Sequence, residues 1–308
     1  MKVSIIVPVG DWAKYGPGRE ALARSVARTK GCEWELVEVD DRAHRGVSWA
    51  RNEGLRRATG DYVAWVDSDD EVEENWAEEI ARALAKGPDV ATIDAKLVGW
   101  KDRGDEIWGV KRPTMEKLRQ AVYRNMTRSS ALWLYVTRRE LWEGLKFDET
   151  VKLAEDYLLL PKVLLRAGSC VYVDKPIYRY RCNEGSLINS VQGKEFRELL
   201  PPWETRMAEA PEKYRGACKW GVASSCYWFC DWAAVNDAKA RAKGPSEAAI
   251  EECRWTIGRD FWWLMAEALR ADDLSWRDRI CWCARFVCAK MGWWGIQRWR
   301  KRRREERK

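Results

Sequence analysis

The fold of this chain is decided by one stretch of sequence, Gly60-Asp61-Tyr62-Val63-Ala64-Trp65-Val66-Asp67-Ser68-Asp69-Asp70. Its apolar run at 62–66 is short and uncharged, which predicts a strand. Carboxylates follow at once in the pattern D-x-D-D. A strand that delivers D-x-D at its tip can present carboxylates to a divalent cation. A solvated turn that caps the helix predicted from Trp76 would use the same residues, and for an isolated D-x-D this second interpretation is favoured.

On both sides of this stretch, the first hundred residues alternate between strand and helix patterns. Alternation of this kind predicts βαβ units and therefore an α/β fold, with a mainly parallel sheet flanked by helices. Ligands of such sheets bind beyond the carboxyl ends of the strands. The predicted strands are 2–8, 36–39, 62–66 and 90–93, and the predicted helices are 19–29, 47–58 and 76–84.

Acidic residues collect at these strand ends. Asp40 and Asp41 follow the second strand, and the third strand ends in Asp67, Asp69 and Asp70. Uncompensated carboxylates on one rim repel each other, so the cluster favours a bound cation. Mg²⁺ or Mn²⁺ would suit it, because these hard cations accept a carboxylate from the protein and oxygens from a diphosphate.

The rest of the chain is less regular. Helices are predicted at 113–123 and 155–167, strands at 130–136, 171–173 and 177–180, and a surface excursion or hairpin at Asp94–Lys111. After Ser190 the pattern changes to helices rich in tryptophan. We therefore expect one α/β domain over residues 1–190 and a helical extension over residues 191–308 that ends in a basic tail.

Several motifs occur in a fixed order around the D-x-D segment. They are V-S-I-I-V-P-V at Val3–Val9, V-D-D at Val39–Asp41, G-x-S-x-A-R-N-x-G at Gly46–Gly54, S-A-L-W-L-Y-V-T-R-R-E-L from Ser130, E-D-Y at Glu155–Tyr157 and Y-R-Y-R-C-N-E-G-S-L at Tyr178–Leu187. Together they resemble the family 2 glycosyltransferases of the GT-A fold over roughly the first 190 residues. The resemblance implies an inverting, metal-dependent transfer from a nucleotide sugar. It also implies a nucleotide-sugar-binding half at 1–95 and an acceptor half at 96–190.

The resemblance implies a role for individual donor-binding residues. The backbone of Pro8 and Val9, together with Asp40, would contact the uracil or another base. Arg51 would lie over the nucleotide, near the base or the phosphates. Asp67 would face the ribose and the metal ion. Backbone groups and carboxylates at strand tips can read a base edge and a ribose hydroxyl.

The metal ion and the catalytic base are implied in the same way. Asp69 would coordinate Mn²⁺ or Mg²⁺ directly, with Asp67 beside it. Asp156 matches the position of the family's catalytic base, which removes the proton of the attacking hydroxyl. Glu155 could share or tune that site. Both residues could also stabilise the helix N-terminus through its dipole; the catalytic interpretation is favoured for Asp156, and the role of Glu155 stays open.

The chain departs from the family pattern close to the donor. Gly10-Asp11 replaces the usual Y-N, and the short segment Arg42–Arg45 replaces a G-S-acidic sequence, which leaves the donor base open. His44, in this segment, is expected to be a surface residue. Trp133 and Tyr135 fall in the acceptor half, where aromatic faces can stack on sugars, but burial in the core is the commoner use of such rings.

The positive charge is confined to the end of the chain. Residues 275–308 carry a net charge of +9, so the remaining chain has a net charge of −2 within a total of +7. Apolar residues recur at helical spacing from Trp276 to Trp294 among arginines. The pattern fits either peripheral membrane contact through 276–308 or a helix packed on the body with a solvated basic end. Nucleic-acid binding is not expected, because the body lacks a broad basic face.

The cysteine pattern and the first residues bear on the compartment. Ten cysteines without a C-x-x-C pair, and a single histidine, argue against a zinc site. The chain enters its first strand without a signal-peptide pattern, so reduced cysteines and a cytoplasmic location are expected, with peripheral contact at the inner face of a membrane as one option.

The resemblance thus implies transfer of a sugar from a nucleotide sugar, a UDP-sugar above all, to a glycan or lipid-linked hydroxyl acceptor in surface glycan synthesis. Two alternatives stay open. A sugar nucleotidyltransferase on a similar sheet would need a Gly-rich phosphate loop, for which Gly10, Lys14, Gly16 and Gly18 are weak candidates. A non-catalytic glycan-binding protein could also keep the fold.

Overall fold

The computed structural model describes residues 1–10, 12–99, 107–124, 129–151, 155–181, 205–224, 258, 261–270 and 276–291. The chain forms two compact units, Met1–Asn189 and Ser190–Lys308. The first unit holds the sheet, and the described residues of the second unit are helical.

The strands and helices of the first unit have the following bounds. The strands are β1 (Lys2–Val9), β2 (Glu33–Asp40), β3 (Tyr62–Trp65), β4 (Glu71–Val72), β5 (Val90–Val98), β6 (Ile107–Trp108), β7 (Tyr135–Arg138) and β8 (Cys170–Arg181). The helices are α1 (Trp12–Arg28), α2 (Val47–Arg57), α3 (Trp76–Leu84), α4 (Met115–Arg124) and α5 (Glu155–Arg166). Short 3₁₀ turns lie at Leu132–Leu134 and Arg139–Trp142.

The strands form one sheet in the order β2-β1-β3-β7-β5-β8-β4, and β6 pairs with β5. The long ladders, β1 with β2 and β5 with β8, are parallel, as is the pairing of β1 with β3. The shorter β4, β6 and β7 run antiparallel to their neighbours, so the sheet is mixed. The expected α/β fold is confirmed. Since β1, β2 and β3 are mutually parallel, their carboxyl ends meet at one edge of the sheet.

Glycines allow two helices to approach this edge closely. A Cβ atom on Gly54 would collide with the side chain of Ile6, so α2 can pack on β1 only with glycine at that position. A Cβ atom on Gly18 would collide with the carbonyl oxygen of Asp70, which brings α1 against the turn after β3. Both helices therefore lie directly beside the strand ends that carry the candidate site.

The structure corrects several predicted boundaries. Helix α1 begins at Trp12 and continues through Pro17, whereas the sequence predicted a helix that starts only at residue 19. The strand predicted at 130–136 begins only at Tyr135, because residues 132–134 form a 3₁₀ turn. The two short strands predicted around residue 175 are one strand, β8, with a register shift opposite Asp94.

The segment Asp94–Lys111 is partly a hairpin, since β5 continues to Val98 and pairs with β6. Its expected surface position is wrong at the first residue. The Asp94 side chain is fully buried, where Tyr172 donates a hydrogen bond of 2.8 Å to it and Lys111 forms an ion pair with it. The buried carboxylate is tolerated because these partners supply a hydrogen bond and a positive charge.

Glu35 ties together the amino-terminal ends of the parallel strands. Its carboxylate accepts hydrogen bonds from Thr59 N at 2.6 Å, Thr59 Oγ1 at 2.7 Å and Ser4 Oγ, and it pairs with Lys2 Nζ at 2.7 Å. Burial alone would raise the pKa of Glu35, but these donors lower it from 4.5 to about 2. The ionised carboxylate therefore stabilises the fold.

We expect Glu35→Gln to lower the free energy of unfolding by about 2 kcal/mol at neutral pH, because hydrogen bonds to a charged group are lost. The deficit should shrink as pH falls from 4.5 towards about 2, where wild-type Glu35 itself becomes protonated. Urea unfolding measures both effects. Glu33→Gln, on the same strand but exposed and 3.6 Å from Lys2 Nζ, is the matched control and should change little. Equal losses in the two variants would contradict this role of Glu35.

The second unit is built from aromatic helices. Residues 205–209 and 212–224 are helical, followed by α6 (Phe261–Arg270) and α7 (Trp276–Met291). Trp220 contacts Trp282 and Phe286 of α7, with ring centroids 5.6 and 5.3 Å apart. Trp220 and Trp282 therefore pack against each other in this unit. Among the described residues, no helix has the length and apolar character needed to span a bilayer.

Candidate active site

The turn after β3 separates its acidic residues into two groups. Asp70 is buried, and its carboxylate accepts hydrogen bonds from Tyr178 Oη and from the backbone N–H of Arg181, each at 2.8 Å. Asp67 and Asp69 are only half-buried. Asp70 therefore anchors the turn to β8, whereas Asp67 and Asp69 remain partly exposed.

Tyr178 is a site residue for which sequence reasoning assigned no role. Its hydroxyl donates to Asp70 and accepts the backbone N–H of Asp67 at 3.1 Å, and its ring stacks on Trp133 at 4.7 Å. Tyr178 thus fixes the backbone at which the D-x-D pair begins. Its place at the head of the Y-R-Y-R motif was the available signal.

We expect Tyr178→Phe to reduce about ten-fold the sugar transfer that the family resemblance implies, since the turn loses two hydrogen bonds while the stacked ring is kept. The comparison variant is Tyr180→Phe, because the Tyr180 ring also stacks on Trp133, with the ring centroids 5.4 Å apart. Steady-state rates of both variants give the result. A Tyr178→Phe enzyme as active as Tyr180→Phe would show that the turn does not depend on this hydroxyl.

Arg51 connects three parts of the site. It projects from α2, and its guanidinium forms an ion pair with Glu155 and lies 3.5 Å from Asp67 Oδ1. The Phe147 ring lies 5.7 Å from the guanidinium carbon, and the arginine is only 6% exposed. A buried arginine that is held by two carboxylates acts as a bridge between α2, the D-x-D turn and the start of α5.

The neighbours of Arg51 on α2 hold the same distant segment. Ser48 Oγ donates to the carbonyl oxygen of Val151 at 3.2 Å. The Asn52 amide donates to the Phe147 carbonyl at 3.0 Å and accepts from the Phe147 N–H at 2.8 Å. The motif G-x-S-x-A-R-N-x-G therefore positions the chain that leads to the amino-terminal end of α5.

Asp156 lies in the first turn of α5, half-buried, next to Glu155. Burial, followed by the negative charge of Glu155, raises the pKa of Asp156 to about 8, although Arg51 opposes the shift. Glu155 is buried against Arg51, so the structure gives it a positioning contact. A carboxylate with a raised pKa at the end of a helix is suited to accept a proton.

Asp67 shares this electrostatic environment. Burial raises its pKa to about 6, with Arg51 lowering it and the charge of Asp69 raising it. The charge of Asp67 in turn contributes to the raised pKa of Asp156. Asp67, Glu155 and Asp156 therefore lie around Arg51, with Asp69 close to Asp67, and the excess negative charge favours a cation.

The carboxyl ends of β1 and β2 form the next part of the same edge of the sheet. Pro8 and Val9 pair in register with Val39 and Asp40, and Asp40 lies at the carboxyl end of β2. Arg42 donates to both oxygens of Asp40, at 3.0 Å from its backbone N–H and 2.7 Å from Nε, and these bonds lower the pKa of Asp40 to about 2. Asp40 is therefore an ionised hydrogen-bond acceptor at the rim.

Asp41, next in sequence, has a different role. Its carboxylate is buried and accepts the backbone N–H groups of Arg45 at 2.8 Å and Gly46 at 3.0 Å. It holds the short loop that departs from the family pattern. His44 in this loop is exposed, as expected. Asp41 and Asp70 thus stabilise backbone, and the acidic rim available to a ligand is smaller than the sequence suggested.

The two carboxylates of the D-x-D turn could hold a metal ion only together with a ligand that supplies further oxygen atoms. Within the described ranges, no group of three or more His, Cys, Asp or Glu side chains is arranged to hold an ion. Asp67 and Asp69 offer two carboxylates in an environment with excess negative charge. Mg²⁺ and similar ions are commonly bound by one or two carboxylates and complete their shell with substrate phosphates and water. The donor set fits an ion shared with a diphosphate.

The two aromatic residues that were considered for stacking on sugars, Trp133 and Tyr135, belong to the core. Trp133 and Tyr135 are buried, and Tyr135 Oη donates to the carbonyl oxygen of Ser129. This agrees with the expected use of these rings in the core.

Comparison with known proteins gives concordant matches. Residues 18–138 match the family model described as "Glycosyl transferase family 2". The chain is 29% identical over 240 residues to glycosyltransferase GlyA of Streptococcus pneumoniae, a match that covers 67% of this chain and 34% of that protein. It is 28% identical to the uncharacterized glycosyltransferase EpsJ of Bacillus subtilis, with 59% of this chain and 53% of that protein covered. The chain thus spans about a third to a half of these relatives.

A solved structure shares the fold. TarS residues 1–349 of Staphylococcus aureus, in complex with UDP-GlcNAc, superimposes with a TM-score of 0.62 at 19% identity, covering 95% of this chain and 91% of that one. At this identity the likeness concerns the fold alone, which is the GT-A fold. The matched segment includes α2, β3 and the D-x-D turn. Over residues 18–138 of its first unit, the chain is thus similar to glycosyl transferase family 2.

Proposed function

We propose that the first unit transfers a sugar from a nucleotide-sugar donor, a UDP-sugar, to a hydroxyl group of an acceptor, with inversion at the anomeric carbon. The observation that carries the proposal is the convergence of Asp67, Glu155 and Asp156 around Arg51 at the carboxyl edge of the sheet, with Asp69 close to Asp67. Carboxylates for a cation and a carboxylate with a raised pKa are the two elements that such a transfer requires.

On the donor side, Asp40 is proposed to read the base and Asp67 the ribose. An ionised carboxylate accepts hydrogen bonds, so Asp40 could accept the N3–H of a uracil base. The backbone of Pro8 and Val9 lies beside Asp40 and would line the same pocket. These features, and the UDP-GlcNAc bound to the TarS structure, support a UDP-sugar.

Asp69 and Asp67 would hold Mn²⁺ or Mg²⁺ together with the donor diphosphate, and the ion would neutralise the charge of the leaving group. Arg51 would act through its neighbours: it neutralises Glu155 and keeps Asp67 in place, although an earlier expectation from the sequence put it over the nucleotide. Because Arg51 is buried and paired, this positioning role is the one that its contacts support.

On the acceptor side, Asp156 is proposed as the catalytic base. It takes the proton of the acceptor hydroxyl as the oxygen forms its bond to the anomeric carbon. The bond from that carbon to the diphosphate breaks at the same time, and its electron pair leaves with the nucleoside diphosphate. Attack opposite the leaving group inverts the configuration. A glycan or lipid-linked acceptor in surface glycan synthesis is the setting that we propose.

The proposal is tested by incubating the full chain with a panel of nucleotide sugars and measuring nucleoside diphosphate release, with Mn²⁺ or Mg²⁺ and with EDTA. We expect release of UDP from at least one UDP-sugar, only with the metal ion. Release of pyrophosphate from UTP and a sugar phosphate would instead identify a nucleotidyltransferase. Glycan binding without turnover of any donor would identify a non-catalytic binding protein.

A further inference from the structure

The α7 helix of the second unit exposes an apolar face. Trp276 is 66% exposed and Ile280 is 54% exposed, and Val287 is also exposed. Spacings of four and seven residues place these three side chains on one side of a helix. Phe286, about 100° around the helix from this stripe, is fully buried. The helix therefore has a packed face and an apolar face that meets solvent.

Arginines surround this apolar face. Arg277 is exposed beside Trp276. The guanidinium of Arg279 lies 5.9 Å from the Trp276 ring, and that of Arg285 lies 4.8 Å from the Trp282 ring. In helical projection, Arg277 and Arg279 fall on the two flanks of the exposed stripe, about 80° to either side of it, whereas Arg285 lies on the far side of the helix. The stripe thus combines apolar side chains in the middle with positive charge around them.

The preceding helix repeats the feature. Trp262 of α6 is 78% exposed and Leu269, seven residues later and hence on the same side of the helix, is also exposed. Contiguous exposed apolar residues of this size mark an interaction surface in most proteins. The sequence over 275–308 has a net charge of +9, which determines the kind of partner that fits.

We propose that α7 lies in the interface of an anionic lipid bilayer, with Trp276, Ile280 and Val287 inserted at the boundary between headgroups and acyl chains. An apolar stripe flanked by arginines is the pattern of helices that lie in a membrane surface. Anionic headgroups complement the positive charge. A protein partner's interface core would be depleted of charge, and a nucleic acid would leave the tryptophan and isoleucine in water. The proposal does not depend on the activity of the first unit.

The test is co-sedimentation of the full chain with phosphatidylcholine vesicles that do or do not contain phosphatidylglycerol. We expect binding to the anionic vesicles only, weakening as salt is added. The double variant Trp276→Ser/Ile280→Ser should lower the partition coefficient about ten-fold or more, because the inserted apolar area is lost. Arg277→Glu should lower it at least about five-fold. Leu165→Ser, which removes an exposed leucine of α5, is the control and should bind like wild type.

Three results would overturn the proposal. The wild-type chain could fail to bind anionic vesicles, or the double variant could bind them as well as wild type does. Size-exclusion chromatography could instead show a dimer that Trp276→Ser/Ile280→Ser splits, without vesicle binding, which would assign the face to a second copy. Since the replaced side chains are exposed, an unchanged circular dichroism spectrum should confirm that the double variant is folded.

Discussion

Asp156→Asn is expected to lower kcat for sugar transfer by about a thousand-fold while donor affinity stays within two-fold of wild type. The amide keeps the size of the carboxyl group and can still accept the hydrogen bond from the Tyr157 N–H, which is 2.9 Å long in the wild-type chain. It cannot take the proton of the acceptor hydroxyl. General bases contribute roughly 10²–10⁴-fold, so the loss appears in the chemical step.

The measurements are initial rates at saturating donor and a separate titration of UDP binding. Asp61→Asn is the matched control, because Asp61 is exposed and precedes β3, at the opposite end of the strand from Asp67. The control should retain near-normal rates. Near-normal turnover by Asp156→Asn as well would remove Asp156 from the mechanism.

The pH dependence of kcat/KM follows from the same residue. Burial and the charge of Glu155 raise the pKa of Asp156 to about 8, and only the ionised carboxylate can act as a base. The rate should therefore fall as pH decreases through about 8, by up to ten-fold per pH unit. The residual activity of Asp156→Asn should lack this dependence. If kcat/KM of the wild-type chain did not change between pH 6 and pH 9, a range of about one unit or more on either side of the pKa of about 8, Asp156 would not be the base with the raised pKa.

Arg51→Met is expected to lower the free energy of unfolding by about 3–5 kcal/mol, because it leaves the carboxylates of Glu155 and Asp67 without their shared positive charge. Glu155 is buried and Asp67 is half-buried, so neither can be fully rehydrated. The denaturant midpoint of urea unfolding gives the magnitude. Transfer activity should fall as well, because the positions of both the D-x-D turn and α5 depend on this residue.

A double-mutant cycle separates the ion pair from simple loss of packing. Adding Glu155→Gln to Arg51→Met removes the uncompensated buried charge and should restore about half or more of the lost stability, a coupling of about 1.5–3 kcal/mol. If the two single changes were simply additive, or if Arg51→Met alone cost under about 1 kcal/mol, the proposed bridge would be wrong.

Much of the fold is readable from local pattern. The apolar run at 62–66 and its D-x-D tip predicted β3 and the turn after it, and α3 spans 76–84 as its periodicity indicated. These features depend on neighbours within a few residues, which a sequence displays directly. The βαβ pattern also predicted that Asp40 and Asp67 lie at the same edge of the sheet, since the carboxyl ends of parallel strands lie at one edge.

The contacts that define the site could not be read in this way. Arg51 and Glu155 are separated by 104 residues, and Asn52 and Phe147 by 95. No local periodicity reports such partners, so the sequence alone placed Arg51 near the nucleotide and left Glu155 undecided. In the same way, the acidic rim seemed uniform, whereas Asp41 and Asp70 bind backbone groups and tyrosine. Only tertiary structure distinguishes a carboxylate that binds a ligand from one that stabilises a turn.

The proposed reaction depends above all on the binding of a divalent ion by Asp67 and Asp69, together with the diphosphate of the donor. Isothermal titration of UDP into the full chain, with Mn²⁺ and with EDTA, measures this directly. We expect UDP to bind at least about ten-fold more tightly with Mn²⁺, and Asp69→Ala to abolish that difference while Asp61→Asn preserves it. Equal affinity for UDP with Mn²⁺ and with EDTA in the wild-type chain would contradict this mode of binding.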